Sequence, residues 1–309
     1  MKNNPKIILA ISAAFLLSIF AFKNEQREEK KKIIYETSGP ESGSLVIVGG
    51  AMNDTAIINT FIRLAGGVDA PMVIIPTASG EKKINTAKVS EILTSAGAKN
   101  VTVLHTYDKN TANTEPFVKP LKSAKGVWFD GGRQWRLVDA YANTLTEKEI
   151  RNVLARGGVI GGSSAGATIQ GSFLVRGDTK SNTILMGDHV QGFSYLKNSA
   201  IDQHLLVRNR QNDLPQVISK YPNLLGIGLD ENTAIVVKGN EFEVIGHSFV
   251  AIYDYNLWSG NQVETGKLKN GAKFFLLRKG DRYNVKTRKV TKWAGDPTRN
   301  IFADSTASR

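Results

Sequence analysis

Short apolar runs rich in β-branched residues alternate along the chain with segments of helical periodicity. The predicted strands occupy residues 44–50, 71–79, 100–107, 125–132 and 156–162, and the predicted helices residues 53–64, 86–95, 137–154 and 165–170. Strands that alternate with helices are typical of a parallel sheet covered by helices on both faces. The pattern therefore predicts an α/β fold built as a three-layer sandwich.

The pattern changes in the last third of the chain. Residues 224–254 contain several short alternating runs separated by turn sequences, which favour antiparallel strands. Residues 273–285 have the pattern of a final hairpin. We therefore expect a mostly parallel sheet with an antiparallel C-terminal extension, all within one domain that spans residues 44–309.

The N-terminus has a different composition from the rest. A short basic start precedes the apolar run at residues 7–22, which is the layout of a secretory signal peptide. The run is shorter than the roughly 20 residues of a membrane-spanning helix. Cleavage after Ala21 would put the bulky Ile19 where a small residue is preferred, so an uncleaved membrane anchor stays open. We expect an exported bacterial protein that is periplasmic, extracellular or membrane-anchored, with a charged linker at residues 23–43.

Composition narrows the chemistry further. The 309 residues include no cysteine, which excludes disulfides, thiolate metal sites and a cysteine nucleophile. The net charge is +12, but the basic residues are scattered and no nucleic-acid-binding motif accompanies them. Two glycine pairs lie at the ends of predicted strands, at residues 49–50 and 131–132. Their surroundings match neither a P-loop nor a dinucleotide-binding fingerprint. We expect no nucleic-acid partner.

The sequence GGSSAGA at residues 161–167 follows the last predicted parallel strand. It is either a Gly/Ser turn between strand and helix or a nucleophile elbow, which needs small residues on both sides of the nucleophile. Ser164 has Gly162, Ser163, Ala165 and Gly166 around it, in the pattern G-x-S-x-G. The elbow interpretation makes Ser164 a candidate nucleophile.

A serine nucleophile needs a base, and the chain has four histidines. His204 lies in a dense polar cluster after an apolar run, although a helix start capped by Asp202 would also explain that cluster. His189 is the weaker candidate. His105 and His247 are interpreted as structural.

Four motifs together resemble the cyanophycinase and dipeptidase E family of serine peptidases. They are DGGRQWRL at 130–137, GGSSAGA at 161–167, DQHLLVRNR at 202–210 and GIGLDENTAIVV at 226–237. The resemblance implies a flavodoxin-like fold related to class I glutamine amidotransferases. It also implies hydrolysis of peptide bonds at β-linked aspartyl residues, no metal or cofactor, and a homodimer.

The resemblance also implies roles for individual residues. Ser164 is the nucleophile and His204 the base, and the N–H groups of Gly132 and Ala165 line the oxyanion hole. The substrate-binding residues that it implies are Gln134, Asp202, Arg208 and Arg210.

The acid of the triad is assigned to Asp178, which lies 14 residues after Ser164. A turn aspartate preceded by Gly177 is the competing interpretation. Asp213 stands where the family commonly has an arginine, which puts recognition of cyanophycin itself in question.

Two other functions stay open at this point. One is a non-catalytic binding protein of the same fold, because the acid is uncertain. The other is an ester hydrolase of the α/β-hydrolase fold, whose chain order Ser, acid, His also fits. For that fold, the 40 residues between Ser164 and His204 are few.

Overall fold

The computed structural model describes residues 36–53, 55–255 and 274–295. They belong to one compact unit, Tyr35–Arg309. The predicted leader at residues 1–22 and most of the predicted linker lie outside the described residues. No helix in the described ranges is long and apolar enough to span a bilayer.

Thirteen strands and seven α-helices form within the described ranges. The strands are β1 (Ser44–Val48), β2 (Met72–Ile75), β3 (Val101–Val103), β4 (Gly126–Phe129), β5 (Val159–Ser163), β6 (Ser199–Gln203), β7 (Leu225–Leu229), β8 (Thr233–Lys238), β9 (Glu241–Gly246), β10 (Val250–Tyr253), β11 (Phe275–Leu277), β12 (Arg282–Asn284) and β13 (Lys289–Lys292). The helices are α1 (Thr55–Leu64), α2 (Thr86–Thr94), α3 (Glu115–Ser123), α4 (Gln134–Tyr141), α5 (Leu145–Ala155), α6 (Ala165–Thr168) and α7 (Leu214–Lys220).

The described strands form two sheets. The larger has nine strands in the order β13-β12-β9-β8-β1-β5-β4-β2-β3. Strands β1, β5, β4, β2 and β3 pair in parallel, whereas β8, β9, β12 and β13 extend the sheet antiparallel from β1. The smaller sheet has the order β11-β10-β7-β6. The predicted fold class is confirmed.

Alternate side chains of the parallel strands pack on opposite faces of the large sheet. In β1, Leu45 and Ile47 belong to the core beneath α3, α4 and α5. Val46 and Val48 belong to the core beneath α1 and α2. Side chains of successive strand residues point to opposite faces, so a strand buried on both faces is apolar throughout and needs a helical layer on each side.

The predicted helix at residues 137–154 and the predicted C-terminal hairpin differ from the structure. The predicted helix at residues 137–154 is two helices, because Asn143 has a left-handed φ of 58° and Thr144 caps α5 by accepting from Glu147 N. The predicted final hairpin is also wrong: β11 joins the small sheet and β12 the large one.

The folded domain begins before Ser44, the predicted boundary. Thr37 is fully buried, and Ser38 pairs with Lys197 as an isolated β-bridge. A side chain on Gly39 would collide with the Gly239 carbonyl oxygen, 1.9 Å from an ideal Cβ. The last residues of the predicted linker are therefore part of the fold.

Candidate active site

Three polar segments meet at the carboxyl ends of adjacent parallel strands. In the sheet, β5 lies between β1 and β4, with Val48 opposite Ser163 and Phe129 opposite Gly162. The residues that follow these strands are therefore neighbours, as expected for sites in open α/β sheets. They include the pair Gly49–Gly50, the pair Gly131–Gly132, and Ser164.

Ser164 lies on a strained strand-to-helix turn. Its backbone has φ 55° and ψ −110°, a conformation that costs about 1–3 kcal/mol and persists only where packing enforces it. The Ser164 N–H donates to Val48 O at 3.0 Å. Ideal Cβ positions on Gly162 and Gly166 lie 2.3 Å from Gly166 O and 2.1 Å from Phe129 O. The glycines thus permit the close packing that the elbow needs.

His204 connects this serine to a carboxylate. The Ser164 Oγ lies 2.8 Å from His204 Nε2, and His204 Nδ1 lies 2.6 Å from Glu231 Oε1. His204 directly follows β6 and has a φ of 55°. Asp202 is a residue of that strand, so the interpretation of Asp202 as a helix cap is wrong.

Backbone contacts fix the His204 ring in place. The His204 N–H donates to Gly49 O at 2.9 Å, and the ring lies against Gly50, which has a φ of 136°. An ideal Cβ on residue 50 would stand 2.3 Å from His204 Cε1. The first glycine pair of the sequence therefore makes room for the histidine.

Glu231 makes the contact with His204 that the sequence analysis assigned to Asp178. It follows β7, the strand that pairs with β6, and the preceding Asp230 holds the loop after His204. Asp230 Oδ1 accepts from Leu206 N and Val207 N at 2.9 and 3.2 Å. A carboxylate pair directly after a buried strand was the signal in the sequence that could have found Glu231.

Asp178 has a different role. Its Oδ1 accepts from Lys180 N at 2.8 Å and from Ser181 N at 2.9 Å, so it stabilises a turn. Both ring nitrogens of His204 are engaged by Ser164 and Glu231. The expected contact between Asp178 and His204 is corrected to one between Glu231 and His204.

Burial lowers the pKa of His204 below its ordinary value of 6.5. The Glu231 hydrogen bond opposes this effect by raising the pKa, whereas the positive charges of Arg208 and Arg210 lower it. The net result is a neutral imidazole at pH 7. With Nδ1–H directed at Glu231, Nε2 is free to accept a proton from the Ser164 hydroxyl.

The second glycine pair lies beside the serine. An ideal Cβ on Gly131 would lie 3.5 Å from Ser164 Cβ and 4.0 Å from its Oγ. Gly132 has a φ of 139°, and its Cα packs so tightly that a Cβ would stand 2.1 Å from Ala78 O. Ala165 begins α6, and the first N–H groups of a helix have no partner within it.

Three of the four predicted substrate residues are buried and engaged within the protein. Gln134 is fully buried, and its Nε2 donates to Val175 O at 2.6 Å and Arg176 O at 3.0 Å. Arg210 Nη1 donates to Gln203 O and Oε1 at 3.0 and 2.6 Å. These hydrogen bonds connect Gln134 to Val175 and Arg176, and Arg210 to Gln203. The contact of both residues with substrate stays a prediction.

Asp202 is also fully buried, in an ion pair with Arg176. Nε and Nη2 of Arg176 donate to the two Asp202 oxygens, each at 3.1 Å. Arg176 also pairs with Asp213, the residue that departs from the family pattern. Arg208 is the one predicted substrate residue whose side chain is exposed.

Two further histidines, His189 and His105, have other partners. His189 Nε2 lies 2.7 Å from Asp139 Oδ1, and its Nδ1 lies 3.3 Å from Asp188 Oδ1. His105 Nδ1 lies 2.9 Å from Thr77 Oγ1. Neither interacts with Ser164, and the pairing of His204 with Ser164 leaves no role for His189 as the base.

A serine, a histidine and a carboxylate hydrogen-bonded in series are typical of serine hydrolases. The geometry of Ser164, His204 and Glu231 therefore indicates this class.

Comparison with known proteins identifies the family within this class. Residues 45–245 match peptidase family S51. The chain is 32% identical over 256 residues to a cyanophycinase of Geminocystis herdmanii, covering 79% of this chain and 94% of that protein. It is 29% identical over 292 residues to a cyanophycinase of Synechococcus elongatus, covering 89% and 90%.

The fold has a counterpart among solved structures. A peptidase from an acI-B1 Actinobacterium superposes with a TM-score of 0.58 at 22% identity, covering 79% of this chain and 97% of that one. The solved structure shows the same fold, and the match of residues 45–245 shows that the chain belongs to peptidase family S51. It is a serine-type peptidase, similar to cyanophycinases, and acts on a peptide substrate.

Proposed function

We propose that this protein is an exported serine peptidase that hydrolyses peptide bonds at β-linked aspartyl residues through an acyl-enzyme. The observation that carries the catalytic part is the series Ser164 Oγ–His204 Nε2–Glu231 Oε1, with distances of 2.8 and 2.6 Å. Similarity to proteins named cyanophycinase supports the substrate class. The sequence left a non-catalytic binding protein as a second hypothesis because it gave no certain acid for the triad. The contact of Glu231 with His204 supports the catalytic hypothesis instead.

In the first half of the reaction, Ser164 Oγ attacks the carbonyl carbon while His204 Nε2 takes the hydroxyl proton. Glu231 stabilises the resulting imidazolium and keeps the ring in the tautomer that accepts at Nε2. The N–H groups of Gly132 and Ala165 stabilise the negative oxygen of the tetrahedral intermediate. His204 then gives its proton to the leaving nitrogen as the C–N bond breaks.

In the second half, a water molecule attacks the ester carbon of acylated Ser164. His204 takes a proton from that water, and the second tetrahedral intermediate collapses with return of the proton to Ser164 Oγ. The acid product leaves and the starting enzyme is restored. The protonation cycle needs no group beyond those of the chain and water.

The first test compares the purified full chain with Ser164→Ala and Ser163→Ala. The substrates are cyanophycin, β-aspartyl-arginine and β-aspartyl-leucine, and dipeptide or amino-acid release is measured beside labelling by a fluorophosphonate probe. We expect cleavage and labelling to be lost only in Ser164→Ala. If the wild-type protein is labelled but cleaves none of the three substrates, the β-aspartyl substrate class is rejected. If the wild type and both variants are labelled equally, Ser164 is rejected as the nucleophile.

The export part of the proposal is supported by the basic start and the apolar run at residues 7–22. Fractionation of the producing bacterium, followed by mass spectrometry of the N-terminus, tests it. We expect the protein outside the cytoplasm, either shortened near residue 22 or retained in the membrane fraction. A full-length protein in the cytoplasmic fraction would reject export and leave the catalytic proposal intact.

A further inference from the structure

A cavity of about 320 Å³ opens beside the nucleophile, between the carboxyl ends of β2 and β4 and one face of α2. Its volume lies at the lower end of the range for ligand-binding pockets. The proposed mechanism uses none of the side chains that line it. A similarly sized cavity near Tyr221 is lined by none of the residues of the Ser164 site.

Gly131 lies between this cavity and Ser164. It lines the cavity, and an ideal Cβ on it would lie 4.0 Å from Ser164 Oγ. The following residue, Gly132, belongs to the proposed oxyanion hole. A substrate carbonyl held there therefore has the cavity as an immediate neighbour, and one of the substrate's side chains can enter it.

The walls and the base of the cavity differ in chemistry. Ile84, Val89 and Ile92 supply half-buried apolar walls. Asp130 lies at the end of β4, and its Oδ1 accepts from Trp128 Nε1 at 3.1 Å. Among the described residues, no second donor and no Lys or Arg nitrogen reaches this carboxylate.

Burial raises the pKa of Asp130 to about 6, because the surroundings of its charge are poorly hydrated. A bound cation would remove much of that cost. Two further charged residues, Glu81 and Lys88, line the same cavity and are exposed. Two carboxylates against one ammonium leave the cavity negative overall.

We propose that this cavity is a substrate subsite for a side chain with an aliphatic stem and a cationic end group, and that Asp130 receives the cation. The apolar walls suit the methylene groups of a lysine or arginine, as amphipathic side chains commonly pack. The proposal rests on the proposed function, since it adds a specificity determinant to the Ser164 site.

The test is a comparison of two substrates that differ only in charge. β-Aspartyl-arginine and β-aspartyl-citrulline have nearly the same shape, and citrulline is neutral. A hydrogen bond to a charged group contributes about 1.5–3 kcal/mol, so we expect kcat/KM to favour arginine by about 10- to 100-fold. In Asp130→Asn the ratio should fall towards one while citrulline hydrolysis is kept.

Asp69→Asn is the matched control, since Asp69 is an exposed carboxylate paired with Lys99 elsewhere on the surface. The control should keep the wild-type ratio. An unchanged arginine-to-citrulline ratio in Asp130→Asn, with both peptides cleaved, would overturn the subsite while leaving the proposed function in place.

The pH dependence of the same ratio gives a second readout. Any effect of His204 ionisation cancels in the ratio, because both substrates need the same base. The preference for arginine should decline as the pH falls through about 6, where Asp130 takes up a proton. Glu81→Gln should keep that decline and Asp130→Asn should abolish it. The reverse result would assign the cation to Glu81 and overturn the role of Asp130.

Binding to the inactive Ser164→Ala protein separates this proposal from the proposed function. Calorimetric titration with argininamide and citrullinamide needs no hydrolysis. We expect argininamide to bind more tightly, and the difference to vanish in Ser164→Ala/Asp130→Asn. If the wild-type enzyme cleaves no β-aspartyl peptide but this difference is seen, the subsite stands and the proposed function fails. Equal binding of the two amides overturns the subsite in either case.

Discussion

The imidazole of His204 rests directly on the backbone of Gly50, and an ideal Cβ at residue 50 would stand 2.6 Å from Nδ1 and 3.0 Å from Nε2. Both ring nitrogens make the hydrogen bonds of the proposed catalytic series. Gly50 O also accepts from Asn232 N, next to Glu231. One glycine therefore determines how closely the base, the acid and the end of β1 approach each other.

Gly50→Ala should inactivate the enzyme without unfolding it. The new methyl group cannot share the space of the His204 ring, so the ring must move away from Ser164. Displacements of about 1 Å in a catalytic group cost roughly 100-fold in rate, and we expect at least that loss in kcat/KM. Steady-state kinetics with a circular dichroism spectrum for each protein makes the measurement.

Gly67→Ala is the control for backbone strain. Gly67 has a φ of 102°, and an ideal Cβ there meets nothing within 4 Å. This variant should lose some stability and keep its kcat/KM. Equal activity loss in the two variants would mean that strain, and not the collision with His204, explains the effect at residue 50.

Glu231→Gln tests the carboxylate of the catalytic series. The amide can present its NH₂ group to Nδ1 and favour the wrong imidazole tautomer, which in serine proteases costs about 10⁴-fold in kcat. We expect a fall of about 10³- to 10⁴-fold. Asp178→Asn, which alters a turn, should stay within about threefold of the wild type. Comparable losses in both variants would restore Asp178 as a candidate acid.

The pH profile of kcat/KM reports the ionisation of His204 in the free enzyme. Because burial holds its pKa below 6.5, the basic form persists to lower pH, and the acidic limb should lie below pH 6.5. The same shift makes folding stability fall on acidification, since the unfolded chain takes up this proton more readily.

Arg208→Gln should move that acidic limb to higher pH. The Arg208 charge lowers the pKa of His204. Its removal raises that pKa, so the imidazole takes up a proton at a higher pH. Lys99→Ala, which removes an exposed cation paired with Asp69, should leave the limb where it is. A limb that stays fixed in Arg208→Gln would show that His204 does not determine it.

Local patterns predicted the α/β sandwich and the elbow at Ser164, whereas the role of His204 as the base was implied by the resemblance to the cyanophycinase and dipeptidase E family. Buried parallel strands are apolar throughout, and an elbow needs small residues next to its serine. The strand Ser199–Gln203, which ends within the motif DQH, was not predicted. The signals that succeeded depend only on residues that are close together in the chain.

The carboxylate pair after residues 225–229 was a local signal for the acid, but its proximity to His204 depends on the pairing of β6 with β7 and not on distance along the chain. Asp178 is nearer to Ser164 in sequence, but Glu231 follows β7, and β7 pairs with β6 only in the folded chain. The same reason explains the buried state of Gln134, which contacts Val175 and Arg176 more than 40 residues away. Motif spacing suggests a role for such residues and does not give their partners.

The last prediction concerns the buried ion pair between Arg176 and Asp202, close to His204 in the sequence. Asp202 is fully buried two residues before His204, and Arg176 holds both of its oxygens. Removing one partner of such a pair leaves an uncompensated charge, which costs about 3–5 kcal/mol. Arg176→Met should therefore lower the free energy of unfolding by about that amount in urea titrations, and Arg176→Met/Asp202→Leu should recover much of it. Lys99→Ala, at the exposed pair with Asp69, should cost less than about 1 kcal/mol. A similarly small effect of Arg176→Met would mean that Arg210, whose Nη1 lies 3.7 Å from Asp202 Oδ1, compensates the carboxylate without Arg176.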